Sequence, residues 1–325
     1  MPAPSIFRLG YFWETKIFLV SVSLDLYTAL AKGPHTAHEL AASLHLDTDA
    51  LERLLTALVA MELLTCTEGR YTNTHVAAEG LVKTSPSYMG DLIQLQNAEW
   101  SHWGHLEAVI RTGKPVVEGN LFMANSEIAK QTLHVLDRMA RRTAPDLARK
   151  LDLSSDRTLL DLGGGAGTYS IQFCKSYPKL QVTLFDLPHT IEAASRAIQQ
   201  EGMHERIRTI SGNFNEDEIS GQFDTVFLSD MLHYQTADEN ARLIRRLYAV
   251  VAPGGRIVVK DMFVNGNPSW PGWNAIFSIH LMVYTERGRC FYISEAISWL
   301  KTAGFFKIDE IERNTILVAH RPHEV

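Results

Sequence analysis

Cysteine is scarce in this chain: Cys66, Cys174 and Cys290 are the only three among 325 residues, and they are scattered. Such spacing makes neither a disulfide framework nor a thiolate metal site, so no metal is expected and a reducing cytoplasm fits. Long runs of one charge are missing too, and the formal net charge is −6, which points away from nucleic acid and anionic membranes as partners. No apolar run reaches the ~18 residues of a membrane span. The opening MPAPSIFRLGYFWETK lacks the basic-then-apolar order of a secretion signal, so the expected location is cytoplasmic. Internal repeats and low-complexity tracts are also wanting. What is present, 46% hydrophobic and 21% charged residues, is the composition of an ordinary globular protein.

A chain of 325 residues is longer than one core usually serves, and its rhythm changes near the middle. Residues 1–150 are almost all helical in pattern. TKIFLVSVSLDLYTALA has apolar residues at three- and four-residue spacing and stops at the breaker Lys32-Gly33-Pro34. Thr36 then opens AHELAASLHL with Glu39 three residues on, a capping-box pattern. DTDALERLLTALVAMELL is a further helix capped by Asp47 or Thr48. TCTEGRYTNT reads as a two-stranded wing turning at Glu68-Gly69. Three helices and a wing make a winged-helix module, which raises DNA binding as a possibility. Its second helix carries Asp47, Asp49 and Glu52 against Arg53 alone, an acidic face that phosphate would repel.

From 151 to 325 short apolar strands alternate with helices: RTLLDLG, QVTLFDL, IRTISGN, FDTVFLSD and GRIVVKD. Short, largely apolar strands alternating with helices are the mark of a parallel, doubly wound α/β sheet. FFKIDEIERNTILVAHRP adds two strands bent at Asn314, an antiparallel edge.

LLDLGGGAGTYS follows the first of these strands and opens a helix, the setting a nucleotide-binding glycine loop requires. Its order is Asp161-x-Gly163-x-Gly165-x-Gly167, and the dinucleotide pattern GxGxxG is not met, because Thr168 stands at its last glycine. A carboxylate two residues before the first glycine would repel a pyrophosphate but suits the charged amino-acid end of S-adenosyl-L-methionine. Asp186, with Leu187 beside it, ends the next strand about 20 residues on, where an acid accepts ribose hydroxyls. Asn213 and Phe214, after the third strand, are placed to flank an adenine: one to bond its amino group, the other to cover a ring face. Ser229 ends the fourth strand on the same rim.

His233 follows in FLSDMLHYQTAD. A histidine just past a buried strand can be a catalytic base or a loop residue with a satisfied hydrogen bond.

With these motifs in view the chain resembles the small-molecule O-methyltransferase family of plants and bacteria, which includes caffeate, flavonoid and polyketide O-methyltransferases. The resemblance runs through ALAKGPHTAHELAASLHLDTDALERLLTAL, GRYTNT, LLDLGGGAGTYS, VTLFDLPHTIEAA, ISGNF, VFLSDMLHYQTADE, APGGRIVVKDMF and ISEAISWLKTAGF. It implies a class I methyltransferase, Rossmann-like sheet, mostly parallel with an antiparallel C-terminal strand, behind an N-terminal all-α winged-helix dimerisation domain. It also implies S-adenosyl-L-methionine as cofactor, S-adenosyl-L-homocysteine as product, and a homodimer paired through N-terminal helices such as IFRLGYFWETKIFLVSVSLDLY. His233 falls on the family's general base, and Gly163 and Asp186 on its cofactor positions. Five positions depart from the family. Tyr234 stands for the usual Asp, Asn213 for an acid, and Ser229 for a common Lys. The two acids that brace the base align with Asp261 and Cys290.

Methyl transfer from a sulfonium asks the protein to align an acceptor and remove its proton. An imidazole near pKa ~6.5 can serve a phenol near ~10 but not an aliphatic alcohol, so a small aromatic or heteroaromatic acceptor is expected. Asp261 is expected to hold the other ring nitrogen. The acceptor pocket is expected from Met139, Thr143, Trp270, Trp273, Asn274, Phe277, Leu281 and Cys290, with Trp100, His102 and Trp103 from the helical half. Methylation of nitrogen or carbon, non-methylating use of the cofactor, and a DNA-binding regulator are the alternatives.

Overall fold

The computed structural model describes residues 12–116, 127–264 and 272–323. Trp270 and the start of the predicted pairing segment, residues 6–11, lie outside the described residues. The chain divides into two compact units, Met1–Gly104 and His105–Val325, so the change of rhythm near residue 150 falls inside the second.

The first unit contains α1 (Trp13–Ser23), α2 (Leu26–Leu30), α3 (Ala37–Leu44), α4 (Thr48–Ala60), strands β1 (Leu64–Thr67) and β2 (Arg70–Asn73), α5 (His75–Leu81) and α6 (Gly90–Trp103). The periodic run before Lys32 is two helices rather than one. Asp25 sits in the left-handed region at φ 58°, which breaks the ladder, and its carboxylate accepts from Lys83 Nζ at 2.7 Å. The capping box is formed: Thr36 and Glu39 exchange side-chain and backbone bonds at the start of α3. Asp47 caps α4 through the Ala50 N–H. Glu68 and Gly69 both take positive φ, the geometry of a tight hairpin turn between β1 and β2. Leu26, Leu40, Leu55 and Leu58 fill the core between these helices. Arg53, the cation of the acidic helix, is paired with Asp49 at 2.8 Å.

The second unit continues with α7 (Leu106–Thr112), α8 (Glu127–Leu151), β3 (Thr158–Leu162), α9 (Thr168–Ser176), β4 (Gln181–Asp186), α10 (Pro188–Gln200), β5 (Ile207–Ser211) and β6 (Phe223–Ser229). A 3₁₀ turn (Leu232–Tyr234), α11 (Ala237–Val250), β7 (Val251–Lys260), α12 (Trp273–Tyr284), α13 (Ile293–Ala303), β8 (Phe306–Glu312) and β9 (Ile316–His320) complete it. Its seven-stranded sheet has the order β5-β4-β3-β6-β7-β9-β8. The first five strands run parallel, and β9 and β8 close the edge antiparallel, with Asn314 in the left-handed region at the bend.

Both faces of the sheet are covered, which is why its central strands β3, β6 and β9 are mostly buried, while the edge strands β5 and β8 are more exposed. Leu159, Phe227 and Val258 face one core, shared with the end of α8, α9 and α10. Their neighbours Leu160, Val226 and Ile257 face the other, shared with α11 and α13. Chain order reverses between β3 and β6, and at such a switch the loops leaving the carboxyl ends of the strands part to form a crevice. The predicted chemistry maps to those strand ends. Among the described residues no helix is long and apolar enough to cross a membrane.

Candidate active site

The rim begins where β3 ends. Gly163, Gly165 and Gly167 all have positive φ (70°, 58° and 80°), so the loop follows a path that side-chain-bearing residues resist. The Gly163 N–H donates to the Phe185 carbonyl at 2.8 Å, pinning the loop to β4. A Cβ added at Gly165 would meet only Leu133 Cδ1, at 3.6 Å, so the backbone is bare at that residue. α8 is tied to the same place, because Thr168 donates to Asp137, which also pairs with Arg141 at 2.9 Å.

Asp161 does not lie on that bare surface. It is 1% exposed, accepts from Ser170 Oγ at 2.5 Å, and is pushed up to about 7 by burial, with the charge of Asp186 adding to the shift. Its carboxyl supports the loop and the first turn of α9 from beneath. Asp186 ends β4 and accepts the Gly165 N–H at 2.8 Å and the Leu187 N–H at 2.6 Å. Burial raises its pKa and those two bonds oppose the rise. Two carboxylate oxygens carry about four acceptor positions, so capacity for further donors remains. Asn213 turns back on its own loop: Oδ1 accepts from Asn215 N–H at 3.1 Å, while its N–H donates to Asp217 at 2.7 Å. Phe214 packs against the sheet core.

On the other side of the switch the strand ends carry charge. Ser229 Oγ donates to Asp230 Oδ2 at 2.7 Å, and the same oxygen takes a hydrogen bond from Lys260 Nζ. Neither Asp230 nor Lys260 was singled out from the sequence. The signal available was a lysine closing the apolar run IVVK, opposite a strand that ends in Ser-Asp.

His233 lies in the 3₁₀ turn after β6 and is 2% exposed. Its Nδ1 stands 2.6 Å from Asp261 Oδ1. Asp261 is itself fixed by backbone donors, Leu232 N–H at 2.9 Å and Met262 N–H at 2.7 Å. Burial alone would lower the imidazole pKa, but the charge and hydrogen bond of Asp261 outweigh it and the net shift is upward. Asp261 is held below the ordinary carboxylate value, its own burial cost overcome by His233 and the two N–H donors. The backbone of 288–290 wraps this turn: Arg289 N–H donates to the His233 carbonyl at 2.9 Å, and a Cβ at Gly288 would lie 2.7 Å from that oxygen.

Rings surround His233. Tyr234 is tilted against His233 at 4.2 Å between centroids, and Phe277 stands edge-on at 5.3 Å. His280, which the sequence reading passed over, stacks on Phe277 at 5.4 Å; burial and the nearby His233 push it down to about 4. Asn274 Nδ2 donates to the Phe263 carbonyl at 2.8 Å and anchors the start of α12. Cys290 is 5% exposed, and burial beside Asp261 pushes its thiol up to about 12, so it stays protonated.

The other expected pocket residues are spread more widely. Leu281 is fully buried, whereas Trp273 and Met139 are exposed. Thr143 is exposed on α8 and lies 3.4 Å from the Tyr169 hydroxyl. Trp100, His102 and Trp103 belong to the first unit, where Trp100 receives the Lys16 ammonium 4.7 Å from its ring centroid.

Comparison with known proteins matches residues 103–306 to the O-methyltransferase domain and residues 8–83 to the O-methyltransferase dimerisation domain. The chain is similar to the 3-hydroxy-5-methyl-1-naphthoate 3-O-methyltransferase of Streptomyces sahachiroi, with 33% identity over 90% of this chain and 86% of the relative. It is also similar to the tetracenomycin polyketide synthesis 8-O-methyl transferase of Streptomyces glaucescens, with 27% identity over 90% of this chain and 88% of that one. Among solved structures, an O-methyltransferase family protein from Burkholderia thailandensis has a TM-score of 0.88 and 27% identity, covering 98% of this chain and 99% of its own.

Proposed function

Because the chain belongs to the O-methyltransferase family and uses S-adenosyl-L-methionine, we propose that it methylates a hydroxyl of a small aromatic or heteroaromatic acceptor with His233 as general base. The buried His233–Asp261 pair, 2.6 Å apart, is the observation that carries the reading. With Nδ1 engaged by Asp261, the neutral ring has Nε2 as its basic nitrogen. Nε2 takes the acceptor proton, and Asp261 stabilises the imidazolium that forms.

The raised pKa of His233 brings it nearer to a phenol near ~10, making proton removal less uphill than for an ordinary imidazole. The cofactor supplies an electrophilic methyl carbon on a sulfonium. On the protein side, the bare backbone at Gly165 and the carboxylate of Asp186, beside Leu187, fit its nucleoside. Tyr234 and Phe277 form apolar walls around the base and favour a flat acceptor ring.

A hydroxylated naphthoate, the acceptor class in the name of the 33% identical relative, is the first candidate. The test is His233→Ala with such an acceptor. Turnover at pH 7 is expected to fall by about 10³-fold, within the range for loss of a general base. S-adenosyl-L-homocysteine affinity should stay within about twofold, since His233 is not among the cofactor residues. Turnover near that of the wild type would leave alignment alone as the source of catalysis. The dimerisation domain at residues 8–83 supports a homodimer joined through the N-terminal helices, and the mass in solution tests it.

A further inference from the structure

One partly buried pair of opposite charges, close enough to His233 for their opposite fields to act on it, has no hydrogen bond to that residue. In the sequence, Lys260 ends an apolar strand and Asp230 follows one. The parallel register of β6 and β7 sets Ser229 opposite Lys260. At Asp230 the backbone turns into the left-handed region, φ 56°, and its carboxylate meets the Lys260 ammonium. Only 17% of the Lys260 side chain and 30% of the Asp230 side chain are exposed. The ammonium lies 5.7 Å from the ring centroid of Tyr169, in the first turn of the helix that the glycine loop opens. The pair therefore stands between the two sides of the crevice, next to the cofactor loop.

Stability does not explain it, because a buried ion pair is commonly no better than apolar residues of the same volume. A ligand of matching charge does. The amino-acid end of S-adenosyl-L-methionine carries an ammonium and a carboxylate on one carbon. The acid that the loop motif offers to that ammonium, Asp161, is buried beneath the loop and bonded to Ser170.

We propose that Asp230 and Lys260 receive the amino-acid end of the cofactor, Lys260 its carboxylate and Asp230 its ammonium. In the free protein each holds the other in place, which spares both from standing unpaired. The inference rests on the cofactor and not on the role of His233, so the two can fail separately.

Calorimetric titration with two ligands tests it. S-adenosyl-L-homocysteine carries the amino-acid end, and 5′-methylthioadenosine carries the same nucleoside and sulfur without it. Lys260→Met should weaken S-adenosyl-L-homocysteine by about tenfold or more, the scale of one charge-assisted hydrogen bond. Binding of methylthioadenosine should stay within about twofold. Lys260→Arg should recover most of the loss. Asp230→Asn/Lys260→Met, which strands neither charge, should show the same selective loss and covers the case in which the single variant does not fold. Equal losses for both ligands, or no loss for either, would overturn the proposal.

Discussion

The two sides of the crevice are built differently. On the β3–β4 side the site is backbone: three glycines at positive φ, with one acid, Asp186, locked by two N–H groups. On the β6–β7 side it is charge: His233 against Asp261, and Asp230 against Lys260, all largely buried. Binding a nucleoside needs room and fixed donors, which bare backbone provides at little cost in desolvation. Moving a proton needs groups whose charge can change or be stabilised, and these must be side chains shielded from water. The division predicts that substitutions in the glycine loop change affinity and substitutions at the His233–Asp261 pair change rate.

Asp261→Asn should break the charged side most sharply after loss of the base itself. The asparagine keeps the size but not the charge, so the imidazolium loses its counter-ion and the ring can settle in the wrong tautomer. We expect kcat to fall by about 10²-fold or more. The acid limb of the pH profile should move to lower pH, because Asp261 is what raises the His233 pKa. A limb that stays in place would mean that Asp261 does not set that pKa.

Gly165→Val tests the backbone side. At φ 58° a branched residue is strained by about 1–3 kcal/mol, and its methyls would occupy the bare face of the loop. S-adenosyl-L-homocysteine affinity should fall by about tenfold or more, while turnover at saturating cofactor changes little. An equal fall in turnover at saturation would blur the two sides.

The smallest effect separates the two histidines. His280 has its pKa pushed down from 6.5 to about 4 by burial and by His233. Folded protein thus binds that proton less readily than unfolded protein. This contribution to stability is full above pH 6.5 and is lost as pH falls through about 4. His280→Phe removes it, so the variant should lose less stability than the wild type between pH 7 and pH 4.5. Urea midpoints at the two pH values measure this, and identical losses would contradict the assignment.

How much of this could be read from residues alone follows the same division. The glycine loop, the apolar strands and the antiparallel end were legible because glycine at fixed spacing and short apolar runs between turn residues are local signals. The break at Asp25 was not, since a left-handed aspartate leaves no mark in apolar periodicity. Asp161 looked available two residues before a glycine, yet its side chain points under the loop to Ser170, a choice made by packing. Lys260 and Asp230 meet only because β6 and β7 pair in one register, and His280 comes near His233 only because α12 folds beside the turn after β6. Contacts between distant segments are where sequence reading stops.

If His233 removes the acceptor proton, the pH dependence of methyl transfer in His233→Ala, set beside the wild type, will show it. The wild-type rate should rise through an apparent pKa above 6.5, the direction in which Asp261 moves the imidazole. In the variant that limb should vanish. A rate about 10³-fold lower at pH 7 should then climb towards the pKa of the acceptor hydroxyl, near ~10 for a phenol, where the proton leaves without help. A variant that keeps the wild-type limb and the wild-type rate at pH 7 would mean that His233 is not the base.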